Sequence, residues 1–143
     1  MNEQILKPKV REVLKLLENK TFIITGSLAL KLLLGSLDRT PGDLDIISND
    51  PFVIKILRKH CTEDFTGVLE IANHSIFKFG SLEVDVFRYP TLKGVPYITK
   101  TVEGFNLKIT PTEFVLLKKL ETMNSLSERK TVKDVTDYLK SKL

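Results

Sequence analysis

Thr21-Phe22-Ile23-Ile24-Thr25-Gly26-Ser27-Leu28-Ala29-Leu30, followed after a polar loop by Asp43-Leu44-Asp45-Ile46-Ile47, is the stretch on which the fold turns. Thr21–Thr25 is a short run rich in β-branched residues and reads as a buried strand. Gly26-Ser27 is a turn, and Leu28–Leu34 reads as a largely buried helix ending at Gly35. Glycine lets the backbone come close to a ligand. The first turn of a helix offers unpaired N–H groups at the positive end of its dipole. Gly26 and Ser27 are therefore candidate phosphate-binding residues, the serine adding a hydroxyl donor.

Asp43–Ile47 alternates acid and aliphatic, which is the period of a strand. Side chains two apart on a strand point to the same side, so Asp43 and Asp45 share one face while Leu44 and Ile46 face the core. Two like charges set together repel, and a divalent cation resolves the repulsion. Mg²⁺, or Mn²⁺ in its place, suits carboxylate and phosphate oxygens and keeps part of its shell for substrate. Such sites can hold two metals about 3.5–4 Å apart. Leu82-Glu83-Val84-Asp85-Val86-Phe87 alternates in the same way. Asp85 is the natural third carboxylate if its strand lies beside the first, and Glu83, pointing the same way, is a weaker candidate. Arg39 lies in the Leu37–Gly42 loop just before the acids and could touch a phosphate, although loop arginines are usually solvated.

Around this centre the chain reads as alternating elements. Val10, Val13, Leu14 and Leu17 recur at helical spacing, giving an amphipathic helix from about Glu3 to Asn19. Asp50-Pro51 starts a helix that runs to about His60, with an acid as cap and proline at the first helical position. Gly67–Ile71, Ile76–Phe79 and Leu82–Phe87 read as an antiparallel meander, with a further strand near Phe105–Ile109. Thr110-Pro111-Thr112-Glu113 has the form of a capping box and opens a helix to about Met123. Val132, Val135 and Leu139 mark a last helix behind a cap at Thr131. The class is α/β or α+β: a mixed sheet flanked by helices, with helices at the C-terminal end.

The bulk properties set limits on function. The 143 residues are the size of a single domain, 1–143, and 42% hydrophobic residues suffice for one core. No apolar run reaches the roughly 18 residues of a membrane span, so no membrane partner is expected. The start of the chain lacks a signal pattern, and the single cysteine, Cys61, rules out an internal disulfide framework. A cytoplasmic location is the default expectation. The net charge of +4 is spread along the chain and fits an anion-handling protein as well as an ordinary surface.

The Gly-Ser turn, the Asp-x-Asp strand and the later acid occur in the order found in the nucleotidyltransferase superfamily, the polymerase-β-like fold, which this sequence resembles. Thr25–Leu30 with Arg39-Thr40-Pro41-Gly42-Asp43-Leu44-Asp45-Ile46 looks closest to the AbiEii-type toxin branch. Pro111–Lys118 resembles the family's proline-started helix with its functional lysine, and Lys133-Asp134-Val135-Thr136-Asp137 its later Lys-Asp-x-x-Asp helix. The resemblance spans roughly Phe22–Leu139, and the large helical extension of many AbiEii-type enzymes is missing. It implies transfer of a nucleoside monophosphate from an NTP to an acceptor hydroxyl on RNA, a protein or a small molecule. Asp43, Asp45 and Asp85 would be catalytic and metal-binding. Gly26, Ser27, Arg39 and Lys118 would bind the nucleotide. A tRNA or an antitoxin protein is the partner this branch implies; the alternative is a domain that binds nucleotide or partner without catalysis.

Plainer readings compete at several positions. Asp43 could close a turn, and Glu83 and Asp85 could line a solvated strand face. Lys118 could be an ordinary surface lysine. Asp134 reads better as an N3 acid serving Thr131, and Lys133 with Asp137 as an exposed i,i+4 pair. His60-Cys61 and His74 lack the spacing of a zinc site and read as surface or half-buried residues.

Overall fold

The computed structural model describes residues 6–34, 43–64, 74–88 and 94–115. Their elements are α1 (Pro8–Leu16), β1 (Ile23–Thr25), α2 (Gly26–Leu34), β2 (Asp43–Ile47), α3 (Pro51–His60), β3 (Thr62–Asp64), β4 (His74–Phe79), β5 (Leu82–Phe87), β6 (Ile98–Val102) and β7 (Phe105–Ile109). The strands form one mixed seven-stranded sheet in the order β3-β4-β5-β2-β1-β7-β6. β1 runs antiparallel to β2 and parallel to β7, and β2 runs parallel to β5. The β3-β4-β5 and β6-β7 pairings are antiparallel. This is the expected mixed α/β sheet. Lys118, Arg39, the Gly67–Ile71 strand and the Thr131 helix lie outside the described residues.

Strand alternation builds two different faces. Ile24, Leu44, Ile46, Phe77, Val84, Val86, Leu107 and Ile109 are buried in one core with Val10, Val13 and Leu14 of α1, Leu28–Leu30 and Leu32 of α2, and Val53 and Leu57 of α3. α2 contributes so many buried residues because it is apolar nearly all round, as a helix laid flat on a sheet must be. On the opposite face Ile23, Ile47 and Val95 pack with Phe87 and Phe114. That smaller apolar patch sits immediately beside the acids of β2 and β5.

The first helix is shorter than its periodicity predicts. It starts at Pro8, with Lys7 held extended at ψ 151°. A residue before proline is driven out of the helical region by the ring, which fixes the boundary there. Two strands escape the sequence pattern, β3 and β6. Thr110 also departs from its expected role as a helix cap. Its backbone N–H donates to the Ile24 carbonyl at 2.9 Å, and its hydroxyl lies 3.0 Å from Thr25 Oγ1. Thr110 therefore stitches the end of β7 to β1 rather than closing the helix that follows. No helix among the described residues is long and apolar enough to cross a membrane.

The end of β2 is clamped through Asp50. Its Oδ1 accepts from the Phe52 N–H at 2.9 Å, capping α3, and its Oδ2 accepts from the Thr21 N–H at 3.1 Å, holding the approach to β1. Ser48 Oγ donates to the Thr21 carbonyl at 2.6 Å. One carboxylate thus joins a helix start to the strand that carries the Gly-Ser turn. Asp50→Ala is expected to lower stability by about 1–2 kcal/mol, the loss of a cap plus a tie. Urea unfolding should show a lower midpoint at unchanged slope.

Candidate functional site

Parallel pairing of β2 and β5 sets Asp43 opposite Glu83 and Asp45 opposite Asp85. Because alternate residues share a face, these four carboxyl groups form a square on the face of the sheet away from the helical core. The expected neighbour relation between the Asp85 strand and the Asp-x-Asp strand is therefore present. Carboxylate oxygens of Asp43, Glu83 and Asp85 lie within 4.8 Å of one another, close enough for one cation. Glu83, the weaker sequence candidate, belongs to this cluster.

Asp45 occupies a different corner. β1 pairs with β2 so that Thr25 lies beside Asp45, and Gly26 follows at φ +72°. A Cβ built on Gly26 would fall on Asp45 Oδ2. Only glycine serves here, both for the left-handed backbone and for the close approach of the carboxylate. α2 starts at Gly26 itself rather than at Leu28, and Ser27 stands half-buried in its first turn. The strand-to-helix turn and the acidic square thus touch through Asp45. A helix start and an acid cluster therefore meet at one point.

Asp85 is buried, with 9% of its side chain exposed. Burial drives its carboxyl up from the ordinary 3.8 to about 7; hydrogen bonding to Asp45 draws it down, while Glu83 and Asp43 push it up. Glu83 is held below its usual range chiefly by the 2.7 Å ion pair with Lys78, against the opposing effect of burial. Both displacements follow from several carboxylates crowded into a partly dry site.

His74 completes the arrangement, and the sequence alone did not mark it as part of a site. Its Nε2 lies 3.2 Å from Asp85 Oδ1, and its ring stacks on Phe87 with centroids 4.3 Å apart. Burial lowers its pKa below 6.5, outweighing the nearby carboxylates Asp45 and Glu83, and Arg88 lowers it further. The imidazole is therefore neutral near pH 7.

No protein-family model and no curated protein matches the sequence. Solved structures share the fold. The lincosamide antibiotic adenylyltransferase LnuA with lincomycin bound superposes at a TM-score of 0.68 and 14% identity, covering 94% of this chain and 97% of that one. ANT(2'')-Ia in complex with adenylyl-2''-tobramycin gives 0.69 at 12% identity, over 92% of this chain and 86% of that one. An antigenic nucleotidyltransferase-like protein from Paracoccidioides brasiliensis gives 0.60 at 20% identity, over 85% and 66%. The fold is that of nucleotidyltransferases.

Two outcomes follow from the geometry. Gly26→Ala forces a side chain into a left-handed backbone and onto Asp45; it should cost at least about 1–2 kcal/mol in chemical unfolding. The second concerns pH. Between 3.8 and about 7 the folded chain keeps the Asp85 proton that the unfolded chain has released. Stability of the metal-free protein should therefore fall as pH rises from about 4 to about 7, and Asp85→Asn should flatten that fall in urea unfolding.

Proposed function

We propose that this chain is a divalent-cation-dependent nucleotidyltransferase that moves a nucleoside monophosphate from an NTP to a hydroxyl of a small-molecule acceptor. The observation that carries this reading is the register of β2 on β5, which squares four carboxyl groups beside a glycine turn at a helix start. The donor set fits a hard cation. It is all oxygen, it gathers three acids within 4.8 Å, and burial with crowding leaves Asp85 costly to ionise without a counter-charge. Asp43, Asp45 and Asp85, with Glu83, would hold Mg²⁺ or Mn²⁺. When bound, the cation would neutralise phosphate charge as it develops.

The chain's own groups take the remaining roles. The backbone at Gly26, the Ser27 hydroxyl and the α2 N-terminus would bind the triphosphate. The acceptor oxygen forms a bond to the α-phosphorus, the bond from that phosphorus to the α,β-bridging oxygen breaks, and pyrophosphate leaves. The acceptor's proton passes to the Asp85 carboxylate, which stands among these acids at the reacting centre. Arg39 and Lys118 are proposed to offset phosphate charge, on the family resemblance alone.

A small acceptor is favoured by the match in size to an enzyme of that kind: the alignment covers 97% of the lincosamide adenylyltransferase chain. ATP is accordingly the first donor to try. The AbiEii-type resemblance points instead to RNA or a partner protein, and the same assay separates them. Each α-labelled NTP is incubated with Mg²⁺ or Mn²⁺ and, separately, with lincosamides, aminoglycosides, cellular RNA and protein extract. Label should appear on a small molecule and fall by about 10²–10³-fold in Asp45→Asn. Label on RNA or protein would reassign the acceptor. Calorimetric NTP binding without transfer to any acceptor would make this a non-catalytic nucleotide-binding domain.

A further inference from the structure

His74 stands beside the acids with no part in the reaction just described. β4 pairs antiparallel with β5 so that His74 lies opposite Phe87 and Ile76 lies opposite Asp85. His74 and Asp85 are therefore diagonal neighbours on one sheet face, a span of about 7–8 Å between backbone positions that a long planar side chain can bridge. The ring lies against Phe87 at an interplanar angle of 19°, which fixes its plane. In that plane Nε2 sits 3.2 Å from Asp85 Oδ1, with only 16% of the His74 side chain exposed.

We propose that His74 is a positioning residue for the cation site: its Nε2–H holds Oδ1 of Asp85 and so orients that carboxylate toward the cation shared with Asp43 and Glu83. The inference rests on the metal-dependent reading of the site. Strand pairing fixes the Asp85 backbone but not the angle of its carboxylate, and a hydrogen bond from a clamped ring holds Oδ1 alongside the hydrogen bonds that Asp85 shares with Asp45 and Glu83. An ionised Asp85, the form that binds a cation, can only accept hydrogen bonds. The imidazole must then carry a proton on Nε2. His74 is not itself in the ligand cluster formed by Asp43, Glu83 and Asp85. A leucine or phenylalanine would cover Phe87 equally well and could not make this bond. Partners of metal ligands at this remove are worth about 10–100-fold in metal affinity.

The test is calorimetric titration of the full chain with Mn²⁺ alone, comparing wild type, Asp85→Asn, His74→Leu and His74→Gln. A glutamine amide nitrogen falls where Nε2 stands. His74→Leu should bind Mn²⁺ about 10–100-fold more weakly, and His74→Gln should stay within about threefold of wild type. Equal binding by His74→Leu overturns the inference, and so does a folded His74→Gln as weak as His74→Leu. Should the variants fail to fold, the ¹⁵N spectrum of the wild-type imidazole with Mg²⁺ decides: a proton on Nε2 supports the inference and a proton on Nδ1 alone overturns it. Wild type that binds no Mn²⁺, or Asp85→Asn that binds it undiminished, removes the metal-dependent reading itself.

Discussion

The structure depends on one pairing, the parallel register that places Asp43 against Glu83 and Asp45 against Asp85. Like charges on adjacent strands are destabilising, and four of them in a square are worse than two. The same alternation that exposes these acids buries Leu44, Ile46, Val84 and Val86 on the other face. Shifting the register by one residue would bury the acids and expose the aliphatics, so the core holds the site in place. Parallel neighbours need a crossover, and α3, β3 and β4 supply it between β2 and β5.

The crowding has consequences for chemistry. Lys78 relieves Glu83 at the open end, and His74 meets Asp85 at the buried end. Neither removes the burden on Asp85, whose carboxyl remains near 7. Carboxylates crowded in this way are held together at a cost in stability. Gly26 follows the same logic. Its left-handed backbone would be unfavourable for other residues, yet it lets Asp45 lie against the start of α2.

Much of this was legible in the sequence because it follows from period and local chemistry. The Asp-x-Asp strand, the alternating Glu83–Asp85 strand and the Gly26-Ser27 turn all announce themselves by residue type and spacing. The α3 cap at Asp50 did so too, and forms as expected. What stayed hidden depends on pairing or on context. β3 and β6 are the edge strands; Thr62-Glu63-Asp64 carries no apolar residue, and Ile98–Thr101 is exposed throughout, so hydrophobic alternation had nothing to report. His74 joins the site only through a diagonal across two strands, and the candidate signal was its place two residues before Ile76 at the start of a run antiparallel to the Asp85 strand. Glu83 ranked below Asp45 until register showed its carboxylate near Asp43 and Asp85. Thr110 read as a cap because its neighbours spell a capping box, whereas its hydroxyl is engaged by β1. The fold agrees with the superfamily resemblance; the AbiEii-type branch rests on the quoted motifs.

On the proposed function, the acidic square and the Gly26-Ser27 turn form one site for a cation and a triphosphate. A crystal structure of the full chain soaked with Mn²⁺ and a non-hydrolysable NTP tests it most directly. Anomalous density for Mn²⁺ should appear among Asp43, Asp45, Glu83 and Asp85, with the triphosphate lying across Gly26 and Ser27 at the start of α2. Mn²⁺ density absent from these carboxylates, or a triphosphate bound elsewhere on the molecule, would contradict it.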